Sequence, residues 1–131
     1  MAECIAEGLR EADPSLTVKL FNSAVDDKND IVTEVFKSKA ILVGSPTINY
    51  GYLFSIGGIM EMIRGLKFKN KKAAAFGSYG WSGEAVKQIT ALLDGAGFEV
   101  VNDGLRCQWA PDEATQKLCR DYGREFASAI K

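Results

Sequence analysis

The 131-residue chain contains no histidine, and this absence excludes more chemistry than any other feature of its composition. Ser-His-Asp and Cys-His catalysis, zincin-type zinc sites and histidine-ligated iron all require an imidazole. Cysteine is scarce as well, because Cys4, Cys107 and Cys119 are isolated in the sequence and no Cys-x-x-Cys pair occurs. We therefore expect idle thiols in a reducing, cytoplasmic compartment, not disulfides, a metal centre or a redox dithiol.

The chain also lacks an excess of either charge and lacks long apolar runs. Sixteen Lys and Arg against 17 Asp and Glu give a net charge of −1, which favours neither nucleic acid nor an anionic membrane as a partner. No apolar run approaches the roughly 18 residues of a membrane span, and no signal sequence follows Met1. A basic run precedes the strand over 73–77 and is interpreted as a solvated rim at the end of the sheet opposite the ligand loops; its members are Lys67, Lys69, Lys71 and Lys72. One globular domain over residues 1–131 is predicted.

Hydrophobic periodicity predicts helices and strands in strict alternation. The predicted elements are a helix over 1–12, a strand over 16–20, a short helix over 31–36, a strand over 40–44, a helix over 52–64, a strand over 73–77, a helix that begins after Ser82 and ends before Gly97, a split strand over 98–109 and a last helix that begins at Pro111. This order is typical of a three-layer α/β fold with a parallel sheet. Ligands of such sheets bind beyond the carboxyl ends of the strands, where the loops over 45–51 and 78–83 follow.

These two loops have the composition of a site for a planar heterocycle. The second places Tyr79 and Trp81 among Gly77, Gly80 and Gly83, which combines stacking surfaces with close backbone approach. Its spacing differs from the dinucleotide fingerprint Gly-x-Gly-x-x-Gly. No side chain is expected to act as a catalytic acid, base or nucleophile, and Trp109 is assigned to the core or to a subunit contact.

Gly44-Ser45-Pro46-Thr47-Ile48-Asn49-Tyr50-Gly51 and the segment 73–84 (AAAFGSYGWSGE) resemble the flavodoxin-like domain of the flavodiiron proteins, and the similarity extends from Met1 to Lys131. The resemblance implies FMN binding and electron transfer to a diiron site on another domain or subunit, with a separate protein as electron donor. It does not distinguish O2 from NO as the terminal acceptor. By resemblance the cofactor-binding residues are Ser45, Pro46, Thr47, Ile48, Asn49, Gly51, Ser78, Tyr79, Gly80, Trp81 and Gly83.

The chain differs from this family at its start. A flavodoxin begins with a strand and a Ser/Thr-rich loop that holds the FMN phosphate at a helix N-terminus, whereas Met1 to Leu9 matches the interior of the first helix. In the sheet order 2-1-3-4-5 the first strand, which is central, and the phosphate loop are therefore expected to be missing. A fragment, a misplaced start codon and a truncated product completed by segment exchange all remain open. Weakened FMN binding and a homodimer are expected.

Two functions therefore remain open. The first is an FMN-binding electron-transfer module, and the alternative is a truncated flavodoxin-fold remnant that binds no FMN and acts only through protein contacts. The intact loops favour the first, and the missing phosphate loop favours the second. A phosphoacceptor receiver domain is excluded, because that class requires an Asp after the central strand and Val43 is followed by Gly44, Ser45 and Pro46.

Overall fold

The computed structural model describes residues 1–131 and consists of five helices and four short strands. In chain order these are α1 (Ala2–Ala12), α2 (Lys28–Lys37), β1 (Ala40–Gly44), α3 (Phe54–Leu66), β2 (Lys72–Tyr79), α4 (Glu84–Gly95), β3 (Glu99–Val100), β4 (Leu105–Gln108) and α5 (Glu113–Ala129). The predicted parallel α/β architecture is confirmed. No helix is both long enough and apolar enough to span a bilayer.

Strand β2 is the centre of the sheet, because every other strand pairs with it in parallel. β1 lies along one side with Ala40 opposite Lys72. On the other side β3 pairs with the start of β2 and β4 with its end, so the predicted split strand is also confirmed. β1, by contrast, pairs with β2 alone and is an edge strand in this structure.

The two faces of β2 support two separate hydrophobic cores. Ala73 and Ala75 contact the core that includes residues of α2, α3 and α4, whereas Ala74 contacts the core of α1 and α5. All three alanines are fully buried. Side chains alternate between the faces of a strand, so a run of small residues lets helices pack closely on both sides. The result is a three-layer arrangement.

The predicted strand over 16–20 is wrong, because Leu16 to Leu20 forms no strand. No backbone group of residues 17–21 hydrogen-bonds to another backbone group. Leu16 and Val18 nevertheless pack against the same core as Leu42 of β1. The alternation of apolar residues therefore reports burial of one face, but a strand also requires a neighbour with which to pair, and this segment has none.

Two predicted helix starts are also incorrect, and one predicted helix end is right. Gly83, not Ser82, is the N-cap of α4, and it provides no side-chain cap. α5 begins after Asp112, which accepts a hydrogen bond from Thr115 N–H, so Pro111 lies outside the helix. Gly97 does follow the end of α4 with a left-handed φ of 95°, a conformation that favours glycine.

Helices α1 and α5 approach each other at two glycines. A Cβ at Gly8 would overlap the carbonyl oxygen of Arg120, and a Cβ at Gly123 would overlap that of Ile5. Exposed ion pairs, Arg120 with Glu7 and Arg124 with Glu11, flank the contact. Since exposed ion pairs contribute little to stability, the close backbone approach and the apolar core beneath it hold α1 in place.

Tyr122 connects α5 to the sheet from inside this core. Its hydroxyl lies 3.0 Å from the Ala75 carbonyl and 2.8 Å from Asn102 Oδ1, which also accepts from Gly104 N–H. Burial raises the pKa of Tyr122 to about 12, although the hydrogen bond to Asn102 opposes that shift. The hydroxyl therefore stays protonated and keeps α5 in register with the sheet.

The substitution Gly123→Ala tests the α1–α5 contact. Alanine normally stabilises a helix by about 1 kcal/mol over glycine, but here the added methyl would meet the Ile5 carbonyl and force the helices apart. We expect a loss of about 1–3 kcal/mol in the free energy of unfolding, measured by urea denaturation. Gly58→Ala in α3 is the matched control, because nothing lies near its Cβ, and it should stabilise the protein. A Gly123→Ala variant as stable as Gly58→Ala would contradict the close contact.

Candidate functional site

The two predicted loops meet at the carboxyl edge of the sheet. Thr47 N–H donates to the Ser78 carbonyl at 2.9 Å, and Ser45 N–H donates to the Phe76 carbonyl at 3.1 Å. A Cβ at Gly77 would overlap the Ser45 carbonyl oxygen, so glycine is required for this approach. The first loop therefore continues the pairing of β1 with β2 beyond the end of the strand.

Ser45 organises the first loop from within. It is the one buried polar residue of the chain, with 3% of its surface exposed. Its hydroxyl lies 2.8 Å from the Pro46 carbonyl, to which it donates, and accepts from Leu53 N–H at 3.0 Å. Because Leu53 precedes α3, this hydroxyl joins the two ends of the loop and closes it.

The middle of the first loop is a tight turn. Ile48 and Gly51 exchange two backbone hydrogen bonds, of 2.8 and 3.0 Å, across Asn49 and Tyr50. Both central residues are left-handed, with φ of 51° and 61°, as in a type I′ turn. The turn leaves the Tyr50 side chain 72% exposed at the sheet edge. Pro46 and Thr47 connect it to the strand.

The second loop is shorter than predicted, because β2 continues through Ser78 and Tyr79. These two residues pair with Cys107 and Gln108 of β4, a long-range contact that local composition does not reveal. The remaining loop, from Gly80 to Gly83, leads directly into α4. Ala85 N–H in the first turn of that helix donates to Thr47 Oγ1 at 3.2 Å, which fastens the second loop to the first.

The structure adds Trp109 to the site, which the sequence analysis assigned to the core or a subunit contact. Trp109 is 61% exposed and packs edge-on against Trp81, with ring centroids 6.3 Å apart. Its backbone N–H donates to the Tyr79 carbonyl at 2.7 Å, and its ring fills the space where Gly80 lacks a Cβ. A residue directly after the last strand must lie at the carboxyl edge, and that topological signal could have identified it.

Arg106 of β4 is a second residue that sequence reasoning missed. Its guanidinium lies 5.5 Å from the centre of the Tyr79 ring and donates to the Gly83 carbonyl at 3.4 Å. It thus supports the second loop at both ends. The register that places Arg106 opposite Gly77 could have been found only from the pairing of β2 with β4.

The predicted site residues are therefore brought together at one edge, in two groups. Ser45, Pro46, Thr47, Ile48, Asn49 and Gly51 form the first loop, and Ser78, Tyr79, Gly80, Trp81 and Gly83 form the end of β2 and the second loop. Trp81 is 89% exposed. Glu84 follows the second group, and its Oε2 is buried without a hydrogen-bond partner. The edge thus presents stacking surface and backbone groups, and one unpaired acceptor is buried at the start of α4.

Comparisons with known proteins agree with this architecture. The family model described as Flavodoxin matches residues 1–123. The chain is 50% identical over 127 residues to the anaerobic nitric oxide reductase flavorubredoxin of Escherichia coli K12, covering 97% of this chain and 26% of that protein. It therefore spans about a quarter of the curated relatives that it matches.

Solved structures show the same fold. Rubredoxin oxygen:oxidoreductase from Desulfovibrio gigas superposes with a TM-score of 0.92 at 33% identity, over 98% of this chain and 32% of that one. A flavodoxin from the domain Archaea gives a TM-score of 0.85 at 28% identity, over 98% of this chain and 87% of that one. The chain thus corresponds to most of a flavodoxin and to the flavodoxin portion of larger proteins.

Ser45→Ala tests the loop closure. The change removes the acceptor for Leu53 N–H in a buried position, and a buried unsatisfied donor costs about 1–3 kcal/mol. We expect a loss of that order in the free energy of unfolding, measured by chemical denaturation. Ser128→Ala, on the exposed side of α5, is the control and should have little effect. Equal stability of the two variants would show that the Ser45 hydroxyl does not close the loop.

Proposed function

The chain belongs to the flavodoxin family, and from that membership we propose that it is an FMN-binding electron-transfer module of the flavodiiron type. The observation that carries the proposal is the junction of the two loops, where Thr47 N–H donates to the Ser78 carbonyl at the carboxyl edge of a parallel sheet. Open α/β sheets bind their ligands beyond this edge. The site lies where the cofactor of such a fold is expected.

Three features of the edge suit a flavin ring. Trp81 and Tyr50 offer exposed aromatic faces from the two loops. Gly80 and Gly83 let Trp109 and Arg106 pack closely against the second loop and support it. Glu84 Oε2 is a buried acceptor without a partner, and the ring system of a flavin carries an imide N–H that can donate to such an oxygen. Exposed aromatic faces, a closely supported loop and an unused acceptor together match a planar heterocycle with a polar edge.

The contacts within the protein divide the proposed binding residues by role. Ser45 uses its hydroxyl to close the first loop, so we assign it to shaping the site. Thr47 Oγ1 accepts from Ala85 N–H and keeps its own proton to donate to a ligand. Asn49 is exposed and keeps its side-chain amide available. The other proposed ligand contacts are Pro46, Ile48, Gly51, Ser78, Tyr79, Gly80, Trp81 and Gly83.

When bound, FMN supplies the redox chemistry, and the protein supplies orientation and electrostatics. Arg106 supplies positive charge beside the second loop, because its guanidinium contacts Tyr79 and Gly83. Its positive charge favours a reduced, more negative ligand at the edge, whereas Glu84 opposes it. We assign no catalytic side chain to the chain itself.

We further propose that the module delivers electrons to a diiron site on a separate domain or subunit and receives them from a donor protein. The support is the match to about a quarter of flavorubredoxin and about a third of rubredoxin oxygen:oxidoreductase, whose names specify NO and O2. We propose NO or O2 as the terminal electron acceptor. Its reduction is assigned to residues outside this chain.

The sheet, we propose, reaches the order 2-1-3-4-5 only when a further strand lies between Leu16–Phe21 and β1 and gives that segment the pairing partner it lacks in the single chain. Two observations support this. Residues 17–21 have no backbone partner, and β1 pairs on one side only. Successive backbone N–H groups of a strand point to opposite sides. Because Ser45 N–H points toward β2, the N–H groups of Leu42 and Gly44 point toward the side of β1 that has no neighbouring strand. A second copy of the chain is proposed to cover this position with a segment of its own, by exchange in a homodimer.

Flavin titration tests the cofactor proposal. We expect purified protein to quench flavin fluorescence and shift its visible band at micromolar concentrations. Trp81→Leu should weaken binding by about threefold to tenfold, the range of one aromatic stacking contact. Phe36→Leu is the control, since Phe36 is an exposed ring at the opposite end of the sheet. Folded protein that binds no FMN at hundreds of micromolar would contradict the proposal and leave the remnant that acts through protein contacts.

Riboflavin provides a second arm of the same titration. The contacts proposed here, from the two loops at the carboxyl edge, engage the ring and the sugar-like chain, not the phosphate. We expect FMN and riboflavin to bind with affinities equal within about twofold. A much tighter complex with FMN would mean that the chain holds the phosphate by groups outside the two loops.

Backbone hydrogen exchange with a mass measurement tests the sheet proposal. Val43 N–H bonds within the sheet and should exchange slowly in any folded form, whereas Leu42 N–H is protected only if another strand covers it. We expect a dimeric mass by light scattering and slow exchange at both positions. A monomer in which Leu42 exchanges rapidly while Val43 is protected would overturn completion by a second copy.

A further inference from the structure

The Ile48–Gly51 turn holds Tyr50 in a backbone conformation that is unfavourable for a bulky residue. Asn tolerates the left-handed conformation, but a bulky residue such as Tyr50, at φ 61°, adopts it at a cost. The side chain of Tyr50 is exposed and so does not compensate through burial. A contact from outside the turn would therefore stabilise this conformation.

Gln88 makes such a contact. Its Nε2 donates to the Tyr50 carbonyl at 2.9 Å, and its Oε1 lies beside Gly51, 3.3 Å from where a Cβ would be. Gln88 lies in the middle of α4 next to Ile89, which is fully buried, so the helix fixes its backbone firmly. The side-chain amide of Gln88 therefore connects α4 to the tip of the first loop.

We propose that Gln88 is a positioning residue for the cofactor loop, which holds the Asn49–Tyr50 turn in the left-handed form that binds the ligand. The inference rests on the proposed function. α4 also fastens Thr47 through Ala85 N–H, so the helix holds the first loop at two points. Without the Gln88 bond the Tyr50 carbonyl has no partner outside the turn, and Asn49, Tyr50 and Gly51 can relax away from the site.

Two variants separate the hydrogen bond from the packing. Gln88→Leu keeps the size of the side chain but cannot donate, and Gln88→Glu places an acceptor with a negative charge against the Tyr50 carbonyl. Leu and Glu are both good helix formers, so α4 should remain intact. Gln116→Leu is the matched control, because Gln116 also donates from a helix to a backbone carbonyl, that of Pro111, and neither residue belongs to a loop of the site.

The first readout uses cofactor-free protein. Gly51 N–H donates to the Ile48 carbonyl inside the turn, and its exchange rate reports whether the turn is formed. We expect exchange at Gly51 to accelerate about fivefold in Gln88→Leu, the factor that corresponds to one ordinary hydrogen bond, and more in Gln88→Glu. Unchanged exchange in both variants would overturn the inference.

The second readout is FMN affinity by fluorescence titration. We expect Gln88→Leu to weaken binding by about fivefold and Gln88→Glu by more, with Gln116→Leu equal to the parent protein. Accelerated exchange with unchanged affinity would show that Gln88 holds the turn but that the turn does not bind the flavin, which overturns the positioning role. If the parent protein binds no FMN, the proposed function fails, while the exchange data still decide whether Gln88 holds the turn.

Discussion

The whole arrangement depends on the close packing that the alanines of β2 permit. Ala73, Ala74 and Ala75 lie at the crossing of the two cores, and each is fully buried. Larger side chains here would push the helix layers outward on both faces. Because β2 pairs with every other strand, such a displacement would move β1 and β4 as well, and with them the ends from which both loops emerge.

The site depends on this packing and on three glycines, where the lack of a Cβ lets neighbouring groups come close. Gly77 lets the Ser45 carbonyl reach β2, Gly80 accommodates the Trp109 ring, and Gly83 leaves room for Arg106. Each glycine allows a neighbouring element to come close, so the loops are supported by β1, β4 and α4 at once. Ser45, Thr47 and Gln88 then connect the first loop by hydrogen bonds to Leu53 at its end and to α4. The exposed aromatic rings rest on a rigid base.

The sequence predicted best those features that depend on local pattern. The helix over 1–12, the strand over 40–44 and the end of α4 before Gly97 were all identified, as was the position of the two loops at one edge. The sequence analysis failed where pairing between residues distant in the chain determines the structure. Leu16–Leu20 alternates like a strand but has no partner, and β2 extends to Tyr79 only because β4 lies beside it. The contact of Trp109 with Trp81 was missed for the same reason, since the two rings are close in space and distant in sequence, and the exposure of Trp109 contradicts a place in the core.

The central position of β2 also bears on how the chain folds during synthesis. β1 pairs with residues 32 positions later, as Ala40 with Lys72, and β4 pairs with residues 29 positions earlier, as Leu105 with Phe76. Parallel strands are joined by crossovers, so neither pair can form as a local hairpin. On the ribosome β1 must therefore emerge, with Ile41, Leu42 and Val43 uncovered, well before its partner leaves the exit tunnel. During that interval the nascent chain presents an apolar strand, and it is there that a chaperone would have most to protect.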